Sequence, residues 1–165
     1  MILETDPVFP NNVVELIYER AASIDPDLER FRRPLRPEDP QQSLGVYAAL
    51  WSPDDDSQEM KGRKEAIEPT IQRYTIIVQS FVRDAEEERG LATHSVLSSR
   101  VRSMLYRDAP LQIGFGALAW KDPVTQVLER SMRWGIRNQR YISNEVTGSW
   151  LYLSSIEFWL ETEII

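Results

Sequence analysis

The chain has 165 residues, with 26 acidic against 19 basic side chains, a net charge of −7 and no cysteine. That length is typical of one domain with a sizeable core, so we expect residues 1–165 to form a single domain. A disulfide is excluded, and the acidic balance argues against non-specific binding to nucleic acid. No apolar run approaches the ~18–20 residues of a membrane span, and the first residues lack the pattern of a signal peptide.

Proline-rich turn signals dominate the first 42 residues and leave room for one helix. Asn12 followed by Glu15 is a capping arrangement that predicts a helix at about 12–23. The segment 25–42 contains four prolines and few apolar groups, which is typical of an extended arm or a long loop.

Two strands with an acidic loop between them follow the arm. Over Ser43–Trp51, the larger aliphatic residues recur at every second position, and a period of two also runs over Thr70–Arg83, where both faces are partly apolar. A period of two predicts strands, and the second strand is expected near the centre of a sheet. The intervening segment 52–68 is nearly devoid of apolar residues, so we expect a mobile loop that becomes ordered only against a neighbour.

The second half of the chain begins with the clearest helix, which we expect at 86–106. Acidic residues stand near its start, and apolar residues at helical spacing form a stripe that predicts a buried face. Alternation predicts a strand over Leu111–Trp120, and Asp122-Pro123 is typical of a helix start. The stretch 124–141 fits a helix or a strand, and Gly135 favours a strand at about 130–141.

The last segment, Ser149–Glu163, alternates along its length and predicts a long strand that forms a terminal hairpin with its predecessor. The whole pattern predicts an α+β fold, with a mainly antiparallel sheet of about four strands flanked by two or three helices. The last strand contains three large aromatic residues, more than one face of a small sheet needs for its core: Trp150, Tyr152 and Trp159. We therefore expect some of them to lie at subunit or partner contacts.

The sequence contains no recognisable catalytic or cofactor-binding constellation. The single histidine, His94, lies on or beside the apolar face of the main helix, where a packed histidine is the simplest interpretation. The run Gly114–Ala119 matches a dinucleotide fingerprint in letters, but Pro123 follows where a long helix should continue. A run of three acidic residues lacks the glycine and closing glutamate of a calcium loop, which favours a solvated loop tip: Asp54, Asp55 and Asp56.

Four arginines form the one notable basic series of this acidic chain: Arg130, Arg133, Arg137 and Arg140. If the segment is a strand, alternation places Arg133 and Arg137 on one face and the other two on the opposite face. Pairing with glutamates of a neighbouring strand is the favoured interpretation, and the alternative is a basic strip that faces DNA or an acidic partner.

The element order and the texture of two strands resemble the tail terminator (tail completion) proteins of long-tailed bacteriophages. These strands read Ile71-Gln72-Arg73-Tyr74-Thr75-Ile76-Ile77-Val78-Gln79 and Tyr152-Leu153-Ser154-Ser155-Ile156-Glu157-Phe158-Trp159-Leu160-Glu161-Thr162-Glu163. The resemblance covers about residues 12–163 and implies a sheet flanked by helices.

The resemblance also implies a structural role without catalysis, cofactor or metal. Such proteins form a hexameric ring that ends polymerisation of the tail tube, and they contact the major tail tube protein and the head–tail connector or stopper. The chain would then lie at the head-proximal end of the virion tail, after assembly in the host cytoplasm, with DNA in the ring lumen as a further contact. The alternatives are another head–tail joining or neck protein, an acidic regulatory module that binds a host protein, and a small nucleotide-binding enzyme that uses Gly114–Ala119.

Overall fold

In a computed structural model of the protein, residues 11–25, 28–32, 44–50, 70–146 and 148–165 are described. This part of the chain contains three helices and six strands. The helices are α1 (Asn11–Ala21), α2 (Glu87–Arg107) and α3 (Ala109–Ala117). The strands are β1 (Glu29–Phe31), β2 (Leu44–Leu50), β3 (Thr70–Asp84), β4 (Ala119–Lys121), β5 (Leu128–Val146) and β6 (Ser149–Ile164).

All six strands belong to one sheet in the order β1-β2-β3-β6-β5-β4. Each neighbouring pair is antiparallel except β1 and β2, which are parallel. The predicted α+β fold is confirmed, because the four longer strands form a mainly antiparallel sheet with the helices packed on it. The strand predictions at 43–51, 70–83 and 149–163 correspond to β2, β3 and β6, and the terminal hairpin is β5–β6.

The predicted arm at 25–42 and loop at 52–68 lie largely or entirely outside the described residues. Within the arm, the structure describes the short strand β1, which pairs with β2 through Glu29↔Gly45 and Phe31↔Tyr47. This part of the segment is therefore a strand, and it lies at one end of the sheet.

The two central strands set the orientation of the sheet. β3 and β6 pair over their whole length, from Thr70↔Ile164 to Asp84↔Trp150. Along β6, side chains alternate between buried and half-buried, and the buried set includes Ile156, Phe158 and Leu160. Because successive side chains of a strand point to opposite faces, one face of the sheet carries the core and receives the helices.

The helices cover that face side by side, with α1 over β2, α2 over β3 and β6, and α3 over β5. α2 buries one stripe against the sheet, which includes Leu97, Val101 and Leu105. Residues three or four apart in a helix share a face, so the predicted stripe of this helix is confirmed. Core residues of all three helices and of β3 and β6 form one hydrophobic cluster.

The segment predicted as a strand over Leu111–Trp120 is instead the helix α3 followed by the short strand β4. The Asp108 carboxylate accepts a hydrogen bond from the Leu111 N–H at 3.0 Å, which caps the helix, and a proline stands in its first turn. The Asp108-Ala109-Pro110 run therefore ends one helix and starts the next. As a helix, the segment buries Leu111 and Phe115 four residues apart.

Asp108 also joins α3 to α1. Its two carboxylate oxygens accept hydrogen bonds from the Arg20 guanidinium at 2.7 and 2.8 Å. These charge-assisted bonds hold the pKa of Asp108 below its ordinary value. One carboxylate thus fixes the junction of the three helices.

The predicted helix start at Asp122-Pro123 is wrong, because residues 123–125 form a turn between β4 and β5. The Asp122 carboxylate accepts hydrogen bonds from the N–H groups of Val124 and Thr125. These bonds resemble those of a helix cap but close a turn, and the Asp122 N–H donates to the carbonyl of Val127 at 2.9 Å. The preference for a strand at 130–141 is confirmed, since β5 spans Leu128–Val146.

Candidate functional site

The outer side of β5 is the most conspicuous exposed feature of the described residues. Its inner side pairs with β6 along its whole length, whereas β4 pairs with its outer side only through Ala119↔Arg130, Trp120↔Glu129 and Lys121↔Leu128. The Ser131 N–H adds one more outward bond, to the carbonyl of Leu118. From Met132 onward, no strand among the described residues pairs with this edge.

Apolar side chains on this edge strand are exposed. Met132 is 42% exposed, Tyr141 is 63% exposed and Ile142 is 49% exposed. An edge strand presents a row of backbone hydrogen-bonding groups, and proteins commonly protect such edges with charges, bulges or a covering element. The outer side of β5, from Met132 to Val146, is called the β5 edge below.

Two β-bulges divide the β5 edge. The register with β6 shifts between Ser131 and Arg133 and again between Ile136 and Asn138, so Met132 and Arg137 are the extra residues. A bulge inserts one residue and reverses the alternation of the side chains that follow it. After the second bulge the register runs without interruption to Val146↔Ser149.

These bulges correct the predicted distribution of the arginine series. Arg130, Arg133 and Arg140 are partners of β6 residues on the face that points away from the helices, and the bulge residue Arg137 reaches that same face. Strict alternation would have divided the four arginines between two faces. The sequence could not reveal this arrangement, because nothing in the local pattern marks the two extra residues.

Three of the four arginines are neutralised by glutamates of β6. Arg130 pairs with Glu163 at 3.0 Å, and Arg137 pairs with Glu157 at 2.8 Å. Arg133 pairs with Glu161. The favoured interpretation of the series, pairing with glutamates of a neighbouring strand, is therefore confirmed for these three residues.

Glu161 is the centre of this charged face. It is only 5% exposed, and it also accepts hydrogen bonds from Arg73 of β3 at 2.6 and 3.2 Å. Burial raises the pKa of this carboxyl, but the hydrogen bonds from Arg133 and Arg73 outweigh burial and leave the pKa below its ordinary value. A buried carboxylate bridged by two guanidinium groups links β3, β6 and β5 across the sheet.

Trp159, one of the predicted contact residues, lies beside this carboxylate. The Arg73 guanidinium lies 4.8 Å from the centre of its ring, within the range of a cation–π contact. On the other side, a Cβ at Gly135 would stand 3.0 Å from the indole Cζ2, so the glycine allows the ring to lie against the backbone of β5. Trp159 is thus half-buried, with contacts to β3 on one side and to β5 on the other.

The other two predicted contact residues differ in burial. Trp150 is half-buried and pairs with Asp84 and Glu145 in the sheet. Tyr152 is only 5% exposed, and its hydroxyl donates to the carbonyl of Glu87 at 2.8 Å. Tyr152 is therefore a core residue, and its ring stacks on His94 with 6.0 Å between the ring centroids.

His94 itself is a packed histidine, as the sequence indicates. It is 4% exposed, and Tyr141 of the β5 edge contacts it edge-on at 6.3 Å between centroids. Burial lowers its pKa, although a hydrogen bond with the backbone of Ser80 acts in the opposite direction. Its Nε2 has no hydrogen-bond partner, and no carboxylate contacts the ring among the contacts described.

The remaining candidate motifs give no catalytic or metal-binding site in the described residues. Gly114 and Gly116 lie in the last turns of α3, where Gly114 packs closely against Leu16 and Gly116 lies near Trp134. In the described ranges, no three histidine or acidic side chains are grouped to hold a metal ion. The predicted acidic loop tip lies outside the described residues: Asp54, Asp55 and Asp56.

Sequence reasoning predicted β5 as a strand but did not predict that it lies near the end of the sheet with an open edge. The only local sign of an open edge in the sequence is the pair Tyr141 and Ile142, because it places a large apolar side chain on each face of one short segment. No helix in the described residues has the length and apolarity to cross a membrane. No protein-family model matches this sequence, and no curated protein is significantly similar to it.

Proposed function

We propose that this protein is a structural subunit that forms a ring on the end of a bacteriophage tail tube, where it stops tube growth and joins the tail to the head connector. The β5 edge carries the proposal. A long, unpaired strand edge with exposed apolar side chains is a surface on which another protein chain can continue the sheet.

The element order supports the same role. Apart from the short strands β1 and β4 and the helix α3, the chain consists of an N-terminal helix, a strand, a long central strand, a helix and a closing hairpin, the order of the tail terminator proteins that the sequence resembles. A ring needs head-to-tail interfaces in which one surface of a subunit meets a different surface of the next. The partners in this proposal are further copies of the chain, the major tail tube protein and the head–tail connector protein.

The ion pairs bear on whether DNA in the ring lumen contacts this chain. Glu157, Glu161 and Glu163 neutralise three arginines of the series, so little free positive charge remains on that face for phosphate groups. Arg140 has no ion pair among the described residues. DNA is therefore a secondary contact in this proposal, and protein partners are the primary ones.

Electron microscopy of virions and of lysates without the gene tests the role. We expect an antibody or tag on this chain to label the head–tail junction, and lysates without it to contain tails of abnormal length that are not joined to heads. Normal-length tails that fail only to join would instead indicate a head–tail joining protein. Normal virions without the chain, or label elsewhere, would refute a role at the junction.

A further inference from the structure

An open cavity of about 360 Å³ lies between the end of α1 and the last turns of α2. That volume is at the lower end of the range of small-molecule sites. Apolar and charged side chains line the cavity together, and they include Ile24, Arg100, Ser103, Met104, Arg107 and Asp108.

The cavity lies on a different side of α2 from β5. Arg100, Ser103 and Arg107 recur at intervals of three and four residues, so they follow one face of the helix beside α1. Arg102 lies on another face and donates a hydrogen bond to Gln139 of β5 at 3.1 Å. The cavity is therefore separate from the β5 edge, on which the proposed ring function rests.

The two arginines of the cavity differ from most other arginines of the described residues. Seven of those others form ion pairs with carboxylates: Arg20, Arg32, Arg73, Arg89, Arg130, Arg133 and Arg137. Arg100 and Arg107 form no ion pair and no hydrogen bond within the described part of the chain. Both guanidinium groups are therefore available to a ligand.

The carboxylate that lines the cavity, Asp108, does not neutralise these two arginines. Its oxygens accept hydrogen bonds from Arg20 at 2.7 and 2.8 Å, so Arg20 offsets its charge. Asp25 lines an adjoining cavity of about 240 Å³ together with Arg100, but the two form no ion pair. Even with Asp25 counted, positive charge is in excess here, which favours an anionic ligand.

We propose that this cavity binds a small molecule that carries phosphate. The planar guanidinium groups of Arg100 and Arg107 match phosphate oxygens through paired hydrogen bonds. Between them, the Ser103 hydroxyl forms no hydrogen bond with another described residue and can donate as well. Phosphate offers at least three acceptor oxygens to these donors, against two from a carboxylate. The buried Met104 and the half-buried Ile24 provide an apolar surface for an uncharged part of the ligand.

The spacing of the arginines indicates a suitable probe. Arg100 and Arg107 lie two helical turns apart, about 10 Å along the axis of α2. Both side chains are exposed and can turn toward an anion between them. Two linked phosphate groups can contact both guanidinium groups at once, so inorganic pyrophosphate is the probe of choice.

Isothermal titration calorimetry of the full-length protein with inorganic pyrophosphate, at fixed ionic strength, tests the site. We expect saturable binding of one pyrophosphate per chain. Arg100→Gln and Arg107→Gln should each weaken binding roughly tenfold or more, because each removes charge-assisted hydrogen bonds. Since both side chains are exposed, each variant should melt close to the wild type in the absence of pyrophosphate.

Arg102→Gln is the matched control, because it removes the same charge from an exposed position of the same helix outside the cavity. It should bind pyrophosphate within about twofold of the wild type, since salt screens charges that do not contact the ligand. An equal loss from Arg102→Gln would indicate attraction to the charge of the whole helix and would overturn the site. The absence of saturable binding to the wild type would overturn it too.

A short DNA duplex distinguishes a small molecule from nucleic acid as the source of phosphate. We expect the duplex not to displace pyrophosphate, because its phosphate groups cannot enter the cavity together with the rest of the helix. A duplex that displaces pyrophosphate, and whose own binding is weakened alike by the changes at Arg100, Arg102 and Arg107, would show a basic surface for nucleic acid instead of a small-molecule site.

Discussion

The helix α3 can be tested with one pair of substitutions, because a strand and a helix at this segment bury different residues. In a strand, Ile113 and Phe115 would share one face. In the helix, Phe115 is 0% exposed and packs against Phe158 at 5.0 Å and Trp134 at 5.6 Å between ring centroids, whereas Ile113 is 72% exposed. The two alanine variants therefore separate the two conformations.

Phe115→Ala removes a fully buried aromatic ring, and such changes lower the free energy of unfolding by about 3–5 kcal/mol. Ile113→Ala removes an exposed side chain and should change it by about 0.5 kcal/mol at most. At this chain length, each kcal/mol lowers the melting temperature by about 2–4 °C, so Phe115→Ala should melt about 6–20 °C below the wild type.

Urea denaturation and thermal melting, both followed by circular dichroism at one fixed protein concentration, measure these changes. The fixed concentration matters because assembly raises apparent stability. Equal losses from the two variants would indicate that both side chains are buried on one face, and the helix assignment would then be wrong. A large loss from Ile113→Ala alone would have the same consequence.

Three further substitutions test the charged face, the buried histidine and the main helix. Glu161→Gln weakens the acceptor shared by two arginines and should lower the free energy of unfolding at neutral pH by about 1.5–3 kcal/mol, measured by urea denaturation. Because the pKa of Glu161 is lower in the folded state than in the unfolded state, the difference between the wild type and this variant should shrink as the pH falls through the range of carboxylate titration. Wild-type stability should also fall as the pH drops below about 6.5, since the unfolded state takes up a proton at His94 before the folded state does. His94→Gln should make stability depend less steeply on pH in this range, and an unchanged dependence would contradict the lowered pKa of His94. Val101→Asp places a charge at a position that is 0% exposed and should cost about 4 kcal/mol or more, whereas Ser99→Asp on the exposed side of the same helix should be nearly neutral.

The sequence by itself determined the elements in which one periodicity is unambiguous. In α2, residues such as Leu97 and Val101 recur at helical spacing, and the tertiary structure buries that stripe. In β3 and β6, a period of two runs over many residues, and each strand turns one of its two faces to the helices. Local pattern suffices here because the spacing of apolar residues and the geometry of the element agree.

The sequence of α3 fits both a strand periodicity and a helix periodicity. Leu111, Ile113 and Phe115 alternate as in a strand, while Leu111 and Phe115 alone are spaced as in a helix. The Asp108 cap and the proline after it were a readable sign of a helix start. Packing decided between the two, since only the helix buries both Leu111 and Phe115 while it leaves Ile113 in solvent.

The tertiary structure alone decided the arrangement of the candidate site. A strand is recognisable in the sequence of β5, but its place in the sheet depends on which strands pair, and these pairings join residues far apart in the chain. The bulges at Met132 and Arg137 arise from register with β6, and they bring all four arginines to one face. The open edge from Met132 onward follows from the place of β5 in the sheet and from the short reach of β4, so it is a property of strand pairing, which a one-dimensional pattern does not contain.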